Sequence, residues 1–213
     1  MGCSNGSAAA DGWVAVEDKA TGGTYYWHQS TNRLTPVGAS RPLPEVVAIG
    51  GRRGWWIDRV TFYFSDKTEK SYGGIGGGPV PRIDLKSDLV PAFAHHISKV
   101  VQLEHDNYLG AGFVYTVVDD SGSFVKEIKI FGAFNAPGHP WGGRIKGKER
   151  KFEAPVGQEV IGLQFSGWKL IRLETRPYQV FHDASQPAEG QPTATKESQQ
   201  KGNSGITAIG VPE

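Results

Sequence analysis

The sequence predicts an all-β protein, and three observations support that prediction. The 213 residues include 29 glycines, 13 prolines and 11% aromatic residues but only one methionine, a composition typical of sheets and turns. Several segments alternate apolar and polar residues as half-buried strands do, for example Val60, Phe62 and Phe64. No segment sustains the apolar period of an amphipathic helix. We therefore expect antiparallel sheets and very little helix.

Composition also narrows the range of functions. The formal net charge is +1 at pH 7, so the chain lacks the basic excess of a nucleic-acid-binding protein, and we expect no nucleic acid partner. Cys3 is the only cysteine, which excludes an intramolecular disulfide and a cysteine-based zinc site and fits a reducing, cytoplasmic compartment. No apolar run approaches ~18 residues, so no transmembrane segment is expected.

Residues 1–11 form a small-residue leader that we expect to be flexible. After removal of Met1, Gly2 could be myristoylated and Cys3 palmitoylated, and two acyl chains would anchor the protein to a membrane. The match is imperfect, because Gly6 stands where the myristoylation motif has Ser or Thr. The alternative is a leader without modification.

Residues 12–42 contain three short strand patterns separated by turn residues. The predicted strands are Trp13–Val16, Tyr25–Trp27 and Arg33–Thr35. The segment resembles a WW domain, with Trp13 as the leading tryptophan and Tyr25-Tyr26 as the aromatic pair. The resemblance implies a small three-stranded sheet in which Trp13 packs against a later proline, Pro36 or Pro42.

The same resemblance implies a face that binds proline-rich peptides, which such domains hold between a tyrosine and a second tryptophan. Tyr25 takes the place of that tyrosine, whereas Pro36 stands where the second tryptophan is expected. We therefore expect a degenerate peptide-binding face formed by Tyr25, Trp27 and Leu34. The competing interpretation is a surface used only for packing against another protein.

A proline-marked linker, residues 43–45, leads into a second region at residues 46–180. This region is a series of strand patterns, and Val-Val-Asp-Asp-Ser-Gly-Ser-Phe-Val at 117–125 predicts a hairpin. Further strands are predicted at 96–103, 114–118, 124–131, 150–154, 159–165 and 169–175. A long series of strands without helices indicates a sandwich or a closed prism.

Three stretches of this region resemble, in their order, a jacalin-related lectin domain. They are GWWIDRVTFYF with SYGGIGGGP, then ISKVVQLEHDNYLGAGFVYTVVDDSG, then GKERKFEAP with EVIGLQFSGWKLIRLE. The resemblance implies a β-prism of three antiparallel sheets with four strands each. The presence of the family's opening strand is left open, because IGGRRGWW would have to serve more than one element.

The resemblance also implies a sugar site at one end of the prism, formed by a Gly-x-x-x-Asp loop and glycine-rich loops. Backbone amides and one carboxylate can donate to, and accept from, neighbouring sugar hydroxyls. Gly167 and Trp168 match the loop before the last strand, but Ile171 replaces its aspartate. Alternation along that strand predicts that Ile171 points inward on the same face as Leu173.

A second Gly-x-x-x-Asp sequence, Gly54 to Asp58, has its acid in place. If this loop binds sugar, Asp58 is the acceptor; the alternative is that Asp58 only caps the start of a strand. The candidate carbohydrate-binding residues are therefore Asp58, Gly76, Gly77, Gly167 and Trp168.

The sequence predicts no enzyme. The glycine-rich stretch 72–81 lacks the Gly-Lys-Ser/Thr ending of a phosphate loop, and the six histidines show no metal-ligand spacing. No serine lies in a nucleophile elbow. We expect no catalytic residue, no cofactor and no bound metal.

A basic segment precedes the last strands. Alternation places Arg144, Lys146, Lys148 and Arg150 on one face, which could meet an anionic surface. The alternative is a solvated edge strand whose charges prevent aggregation.

Residues 181–213 have the low-complexity composition of a flexible tail. Together these observations predict a non-enzymatic, two-module interaction protein, an adaptor or structural subunit of a larger protein assembly such as a cytoskeletal or ciliary one. The alternative is a carbohydrate-binding lectin of the jacalin-related type with a weak or altered site. The expected partners are proteins, with a proline-rich peptide, a glycan and a lipid anchor as the alternatives.

Overall fold

The structure, a computed structural model, describes residues 12–86, 95–133, 148–179 and 181–184. The described residues form fourteen strands and no α-helix, so the predicted all-β class is confirmed. The strands are β1 (Trp13–Glu17), β2 (Thr24–His28), β3 (Arg33–Leu34), β4 (Val46–Arg53), β5 (Ile57–Phe64), β6 (Glu69–Gly73), β7 (Gly78–Asp84), β8 (His95–His105), β9 (Tyr108–Asp119), β10 (Phe124–Phe131), β11 (Glu149–Glu153), β12 (Gln158–Ser166), β13 (Lys169–Pro177) and β14 (His182–Asp183). No helix in these ranges has the length and apolar character needed to cross a membrane.

The large region consists of two four-stranded motifs and one hairpin, all antiparallel. The first motif has the order β6-β5-β4-β7 and the second β10-β9-β8-β11. Each is the order of a Greek key, in which the fourth strand returns beside the first. The third sheet contains only β12 and β13 among the described residues, instead of the four strands that the sequence resemblance implied.

One hydrophobic core lies between these three groups of strands. Phe62 of β5 meets the rings of Tyr72 and Tyr115 edge-on, each at 6.1 Å between ring centroids. Fully or almost fully buried side chains come from every group: Ile49, Ile57, Phe62, Ile97, Val100, Phe113, Tyr115, Ile130, Leu163 and Leu170. Each such side chain stabilises the fold by ~1.5–3 kcal/mol through removal of apolar area from water.

The chain turns repeatedly at one end of this core. Because neighbouring strands are antiparallel, β4 and β6 run towards the same end, and so do β8 and β10 of the second motif. Ile57 pairs with Gly110, which places the starts of β5 and β9 side by side. We call this the tip end; it comprises residues 52–59, 73–78, 105–110 and 166–171.

The buried side chain of Gln102 brings the third hairpin to the tip end. Its Nε2 donates to the carbonyls of Leu109 and Trp168 at 2.6 and 2.7 Å, and its Oε1 accepts from the amide of Leu170 at 2.7 Å. Gln102 has no exposed surface. Without its side chain, these three backbone groups would each lose a hydrogen-bond partner. The turn that carries Trp168 is therefore held against β8 and β9.

A bulge in β13 overturns one expectation from the sequence. Phe165 pairs with Leu170 and Gln164 with Arg172, so Ile171 has no partner across the hairpin. A bulge adds one residue and interrupts the two-residue period of a strand. Leu170 is consequently buried and Ile171 is 49% exposed, so the prediction that Ile171 points inward is wrong.

The small N-terminal sheet has the three expected strands and one that was not expected. β14, from the other side of the large region in sequence, pairs with β3 through His182 and Asp183. The amide of Ala184 adds a hydrogen bond to the carbonyl of Asn32. Residues 181–184, assigned to the flexible tail from the sequence, therefore belong to this sheet, and the rest of the predicted tail lies outside the described residues.

Phe181 stacks on Trp13, whose ring also meets that of His28 edge-on. The two rings stack at 5.0 Å between centroids with an interplanar angle of 21°. The guanidinium of Arg33 lies 3.8 Å from the centroid of the same Phe181 ring, a cation–π contact. The residues that stabilise this sheet thus come from both ends of the described chain.

The linker at residues 43–45 is bonded to the large region rather than free. The side-chain amide of Gln179 accepts from the Leu43 amide at 2.6 Å and donates to the Leu43 carbonyl at 2.9 Å. Arg176 donates to the carbonyl of Pro44 at 2.8 Å. Because β4 starts and β13 ends here, the small sheet lies at the end of the large region opposite the tip end, which we call the base.

Replacing Phe181 with alanine tests the packing of Trp13. We expect Phe181→Ala to destabilise the small sheet by about 2 kcal/mol, because half-buried stacking against Trp13 is lost. The measurement is near-ultraviolet circular dichroism during urea unfolding, combined with proteolysis of the N-terminal region. The matched control is Phe124→Ala, at an aromatic residue that is 66% exposed. This variant should change neither the urea unfolding curve nor the proteolysis of the N-terminal region. Equal behaviour of the two variants would contradict this role of Phe181.

Candidate functional site

An acidic side chain enclosed by glycines lies at the tip end. Asp58 is the second residue of β5, and its carboxylate faces the loop between β6 and β7. A Cβ atom added to Gly76 would stand 2.6 Å from Oδ1, and one added to Gly77 would stand 2.5 Å from Oδ2. Gly77 also has a φ of 62°, a conformation that favours glycine. The structure therefore brings together three residues that the sequence proposed for one site.

Arginine side chains hold the carbonyls of this glycine loop. Arg52 donates to the carbonyl of Gly76 at 2.9 Å and of Gly77 at 2.6 Å, and Arg59 donates to that of Gly74 at 2.8 Å. The Asp58 carboxylate and the three amides of residues 75–77 make no hydrogen bond to any other described residue. The loop is thus fixed while one acceptor and several donors remain available to a ligand.

Beside this acidic loop lies an apolar groove of about 500 Å³. Trp168 and Ile171 contribute side chains that are 45% and 49% exposed. Gly167, with a φ of 55°, forms the turn that presents Trp168. The other apolar walls are Tyr72, Leu109, Leu163 and Phe165. An exposed indole in such a groove can stack on the apolar face of a ligand.

Gly73 joins the two parts of the tip end. A Cβ atom there would stand 2.2 Å from the carbonyl oxygen of Asp58, and Gly73 also lines the groove beside Trp168. Gly73 thus lies between Asp58, near Gly76 and Gly77, and the groove formed by Gly167 and Trp168. Sequence reasoning missed Arg52, Arg59 and Gln102, because their partners are loop carbonyls that only the strand register brings near.

The three residues proposed for peptide binding share one face of the small sheet. Tyr25 and Trp27 alternate along β2, and Leu34 is the register partner of Trp27 on β3. All three are half-buried, and Trp27 Nε1 donates to Asn32 Oδ1 at 3.3 Å. Pro36, in the place of the second tryptophan, is exposed.

The basic segment is described only in part, since Arg144 and Lys146 lie outside the described residues, as do Gly2 and Cys3. Lys148 is exposed, whereas Arg150 forms an ion pair with Glu104. Two further pairs, Lys151 with Glu149 and Lys99 with Glu153, follow along β11 and its neighbour. Charges of both signs on this edge strand fit the solvated, aggregation-resistant alternative better than a basic patch.

A buried charge network at the base was not visible in the sequence. His96 contacts Asp120 through Nε2 at 2.6 Å and Glu159 through Nδ1 at 3.2 Å, and Arg176 donates to Glu159 at 2.7 Å. The ring of Tyr178 stacks on His96 at 4.3 Å. Burial alone lowers the pKa of His96, but hydrogen bonds to the two carboxylates outweigh it and raise the pKa to about 9.

The groups of this network are buried and bonded to one another. His96 and Glu159 are each only 2% exposed, and their polar atoms are occupied by one another, by Asp120 and by Arg176. The part of the chain that the structure describes contains no group of three His, Cys, Asp or Glu side chains arranged to hold a metal ion. Through the bond from Arg176 to Pro44, the network also secures the linker to the small sheet.

The pKa of His96 predicts a pH-dependent stability. Its folded pKa exceeds the usual 6.5, so its stabilising charge is fully present below pH 6.5 and is lost as the pH rises towards 9. We expect the free energy of unfolding to fall by about 3 kcal/mol across this interval. Urea unfolding at a series of pH values measures it. His96→Gln should remove most of this slope, and a slope that survives the substitution would contradict the assignment.

No family model, no curated protein and no solved structure matches this chain. The fold and the tip end are therefore the basis on which a function is assigned.

Proposed function

We propose that this chain is a non-enzymatic binding protein that recognises a carbohydrate at its tip end. The observation that carries the proposal is the Asp58 carboxylate inside the glycine loop, with free backbone amides beside it. Neighbouring sugar hydroxyls need acceptors and donors at a fixed spacing, which a carboxylate and adjacent amides provide. The loop is ordered before a ligand arrives, because Arg52 and Arg59 already bind its carbonyls.

The groove around Trp168 supplies a second, apolar part of the same site. The faces of a pyranose that carry C–H bonds pack against aromatic rings, and Trp168 is exposed beside Gly73. Ile171 cannot accept a hydrogen bond, so the groove around Trp168 contributes apolar contact area to the ligand. The Asp58 loop contributes the hydrogen bonds. A ligand that spans both would be a sugar with a second residue or an apolar substituent.

Removal of the Asp58 carboxylate tests the proposal. A hydrogen bond to a charged group contributes ~1.5–3 kcal/mol, so Asp58→Ala should raise the Kd for the sugar more than tenfold. Gly76→Ala should act similarly, because its Cβ would stand 2.6 Å from Oδ1 of Asp58. A glycan array identifies the ligand, and calorimetric titration then measures each variant.

The matched control is Asp106→Ala, at an exposed aspartate of the same end that lies in the turn between β8 and β9. This control should bind as the unmodified protein does. The carbohydrate proposal fails if the array shows no saturable binding, or if Asp58→Ala binds normally.

A second candidate function is favoured by the face of the small sheet. Tyr25, Trp27 and Leu34 share that face, so Trp27 offers a second aromatic ring although Pro36 occupies the expected tryptophan position. An extended proline-rich segment suits such a surface because little conformational entropy is lost on binding. In this function the chain is an adaptor or structural subunit in a protein assembly of a reducing compartment, consistent with its single cysteine.

Titration with a fluorescent decaproline peptide, followed by anisotropy, tests this candidate. Tyr25→Ala and Trp27→Ala should each weaken binding at least ~10-fold, since each ring is a main apolar contact. Tyr26→Phe, on the opposite face of β2, should leave binding unchanged. If the unmodified chain does not bind the peptide, or if the three variants bind alike, the face has no such role.

A further inference from the structure

The tip end concentrates exposed apolar side chains. Eight large apolar side chains of the described residues are exposed, and five of them lie at this end. They are Trp55, Ile75, Tyr108, Trp168 and Ile171. Single exposed apolar residues are ordinary on a protein surface, whereas a group of them at one end marks an interaction surface.

These five side chains stand at four turns that meet at the tip end, with Trp168 and Ile171 on the same hairpin. Trp55 lies between β4 and β5, Ile75 between β6 and β7, and Tyr108 at the start of β9. Trp56 links two of these turns, because its ring lies 3.9 Å from that of His105 and 6.1 Å from that of Tyr108. Ile75 is 82% and Trp55 57% exposed, so they protrude from the end.

The turns that carry them are held in place. Arg52 binds the carbonyls on the C-terminal side of Ile75, and Gln102 binds the carbonyl of Trp168. Gly132 lies so close to the β4–β5 turn that a Cβ atom would stand 2.3 Å from the carbonyl of Trp55. Rigid turns can insert apolar side chains at a small entropic cost.

Basic side chains predominate around these apolar residues. The tip end has four basic and two acidic side chains. The basic ones are Arg52, Arg53, Arg59 and Lys169, and the acidic ones are Asp58 and Asp106. Arg53 and Lys169 are exposed at the edge of the surface. Basic side chains near an anionic membrane surface are attracted to its headgroups.

We propose that the tip end docks onto an anionic lipid bilayer, with Trp55, Ile75, Trp168 and Ile171 in the interfacial layer. Tryptophan and tyrosine favour that layer because their rings are apolar and their polar groups reach water. Side chains on separate turns can enter a fluid interface together, and the basic excess complements anionic headgroups. The inference does not rest on sugar binding: Trp55, Arg53 and Lys169 lie outside the Asp58 loop, whereas Ile75 belongs to that loop and Trp168 also lines the proposed sugar groove.

Co-sedimentation of the whole chain with vesicles tests this docking. The chain should sediment with phosphatidylcholine vesicles that contain about one quarter phosphatidylserine, and much less with pure phosphatidylcholine, since the attraction depends on anionic lipid. The fluorescence maximum of the tryptophans should shift to shorter wavelength on binding. The double variant Trp55→Ser, Ile75→Ser should lower the partition coefficient at least ~10-fold.

Matched variants distinguish membrane docking through the tip end from unspecific adsorption and from self-association. Phe124→Ser alters an exposed aromatic at the base and should bind vesicles normally, whereas Arg53→Ala with Lys169→Ala should weaken binding most at low salt. Asp58→Ala should lose sugar binding and keep vesicle binding. The inference is overturned if the unmodified chain ignores anionic vesicles, or if Phe124→Ser loses as much binding as the double variant. It is also overturned if sedimentation velocity shows that Trp55→Ser, Ile75→Ser only converts a dimer into a monomer.

Discussion

The buried amide of Gln102 is the interaction on which the arrangement of the tip end depends. The third sheet has only β12 and β13 among the described residues. No backbone ladder bonds join these two strands to the two four-stranded motifs. Gln102 binds the third sheet to the second motif, and the hydroxyl of Tyr72 accepts from the amide of Leu163 at 2.9 Å and binds it to the first. Side chains thus take the place of neighbouring strands; His96, which contacts Glu159 of β12, does the same at the base, and Gln102 positions the Trp168 turn.

The tip end and the base use polar groups in opposite ways. At the base, His96, Glu159 and Arg176 are largely buried and bonded to one another, because an ionised group without a partner is costly there. At the tip end, the Asp58 carboxylate and the neighbouring amides have no partner among the described residues, yet water can reach them. Satisfied buried charge stabilises the attachment of the small sheet, whereas the available polar groups at the tip end are the basis of the proposed sugar site.

The candidate site could be anticipated where its residues are close in sequence or lie on one predicted hairpin. Asp58 lies at the start of β5, and Gly76 and Gly77 come directly after β6, the next strand along the chain. Because β5 and β6 pair antiparallel, the start of β5 lies beside the end of β6. The orientation of Ile171 could not be anticipated, because a single bulge changes the strand period without a marked sequence signal. Nor could the packing of Phe181 on Trp13, since it joins residues from opposite sides of the large region.

By itself, the sequence determined the all-β class, the hairpins and the residues with suitable chemistry, because alternation and turn residues are local signals. Only the tertiary structure decided that Gln102 binds the third sheet, that hydrogen bonds to two carboxylates raise the pKa of His96, and that the end of the described chain completes the small sheet. Those features join residues such as His96 and Glu159, 63 positions apart, or Gln102 and Trp168, 66 apart. Contacts of that range depend on strand register and burial, which local patterns do not specify.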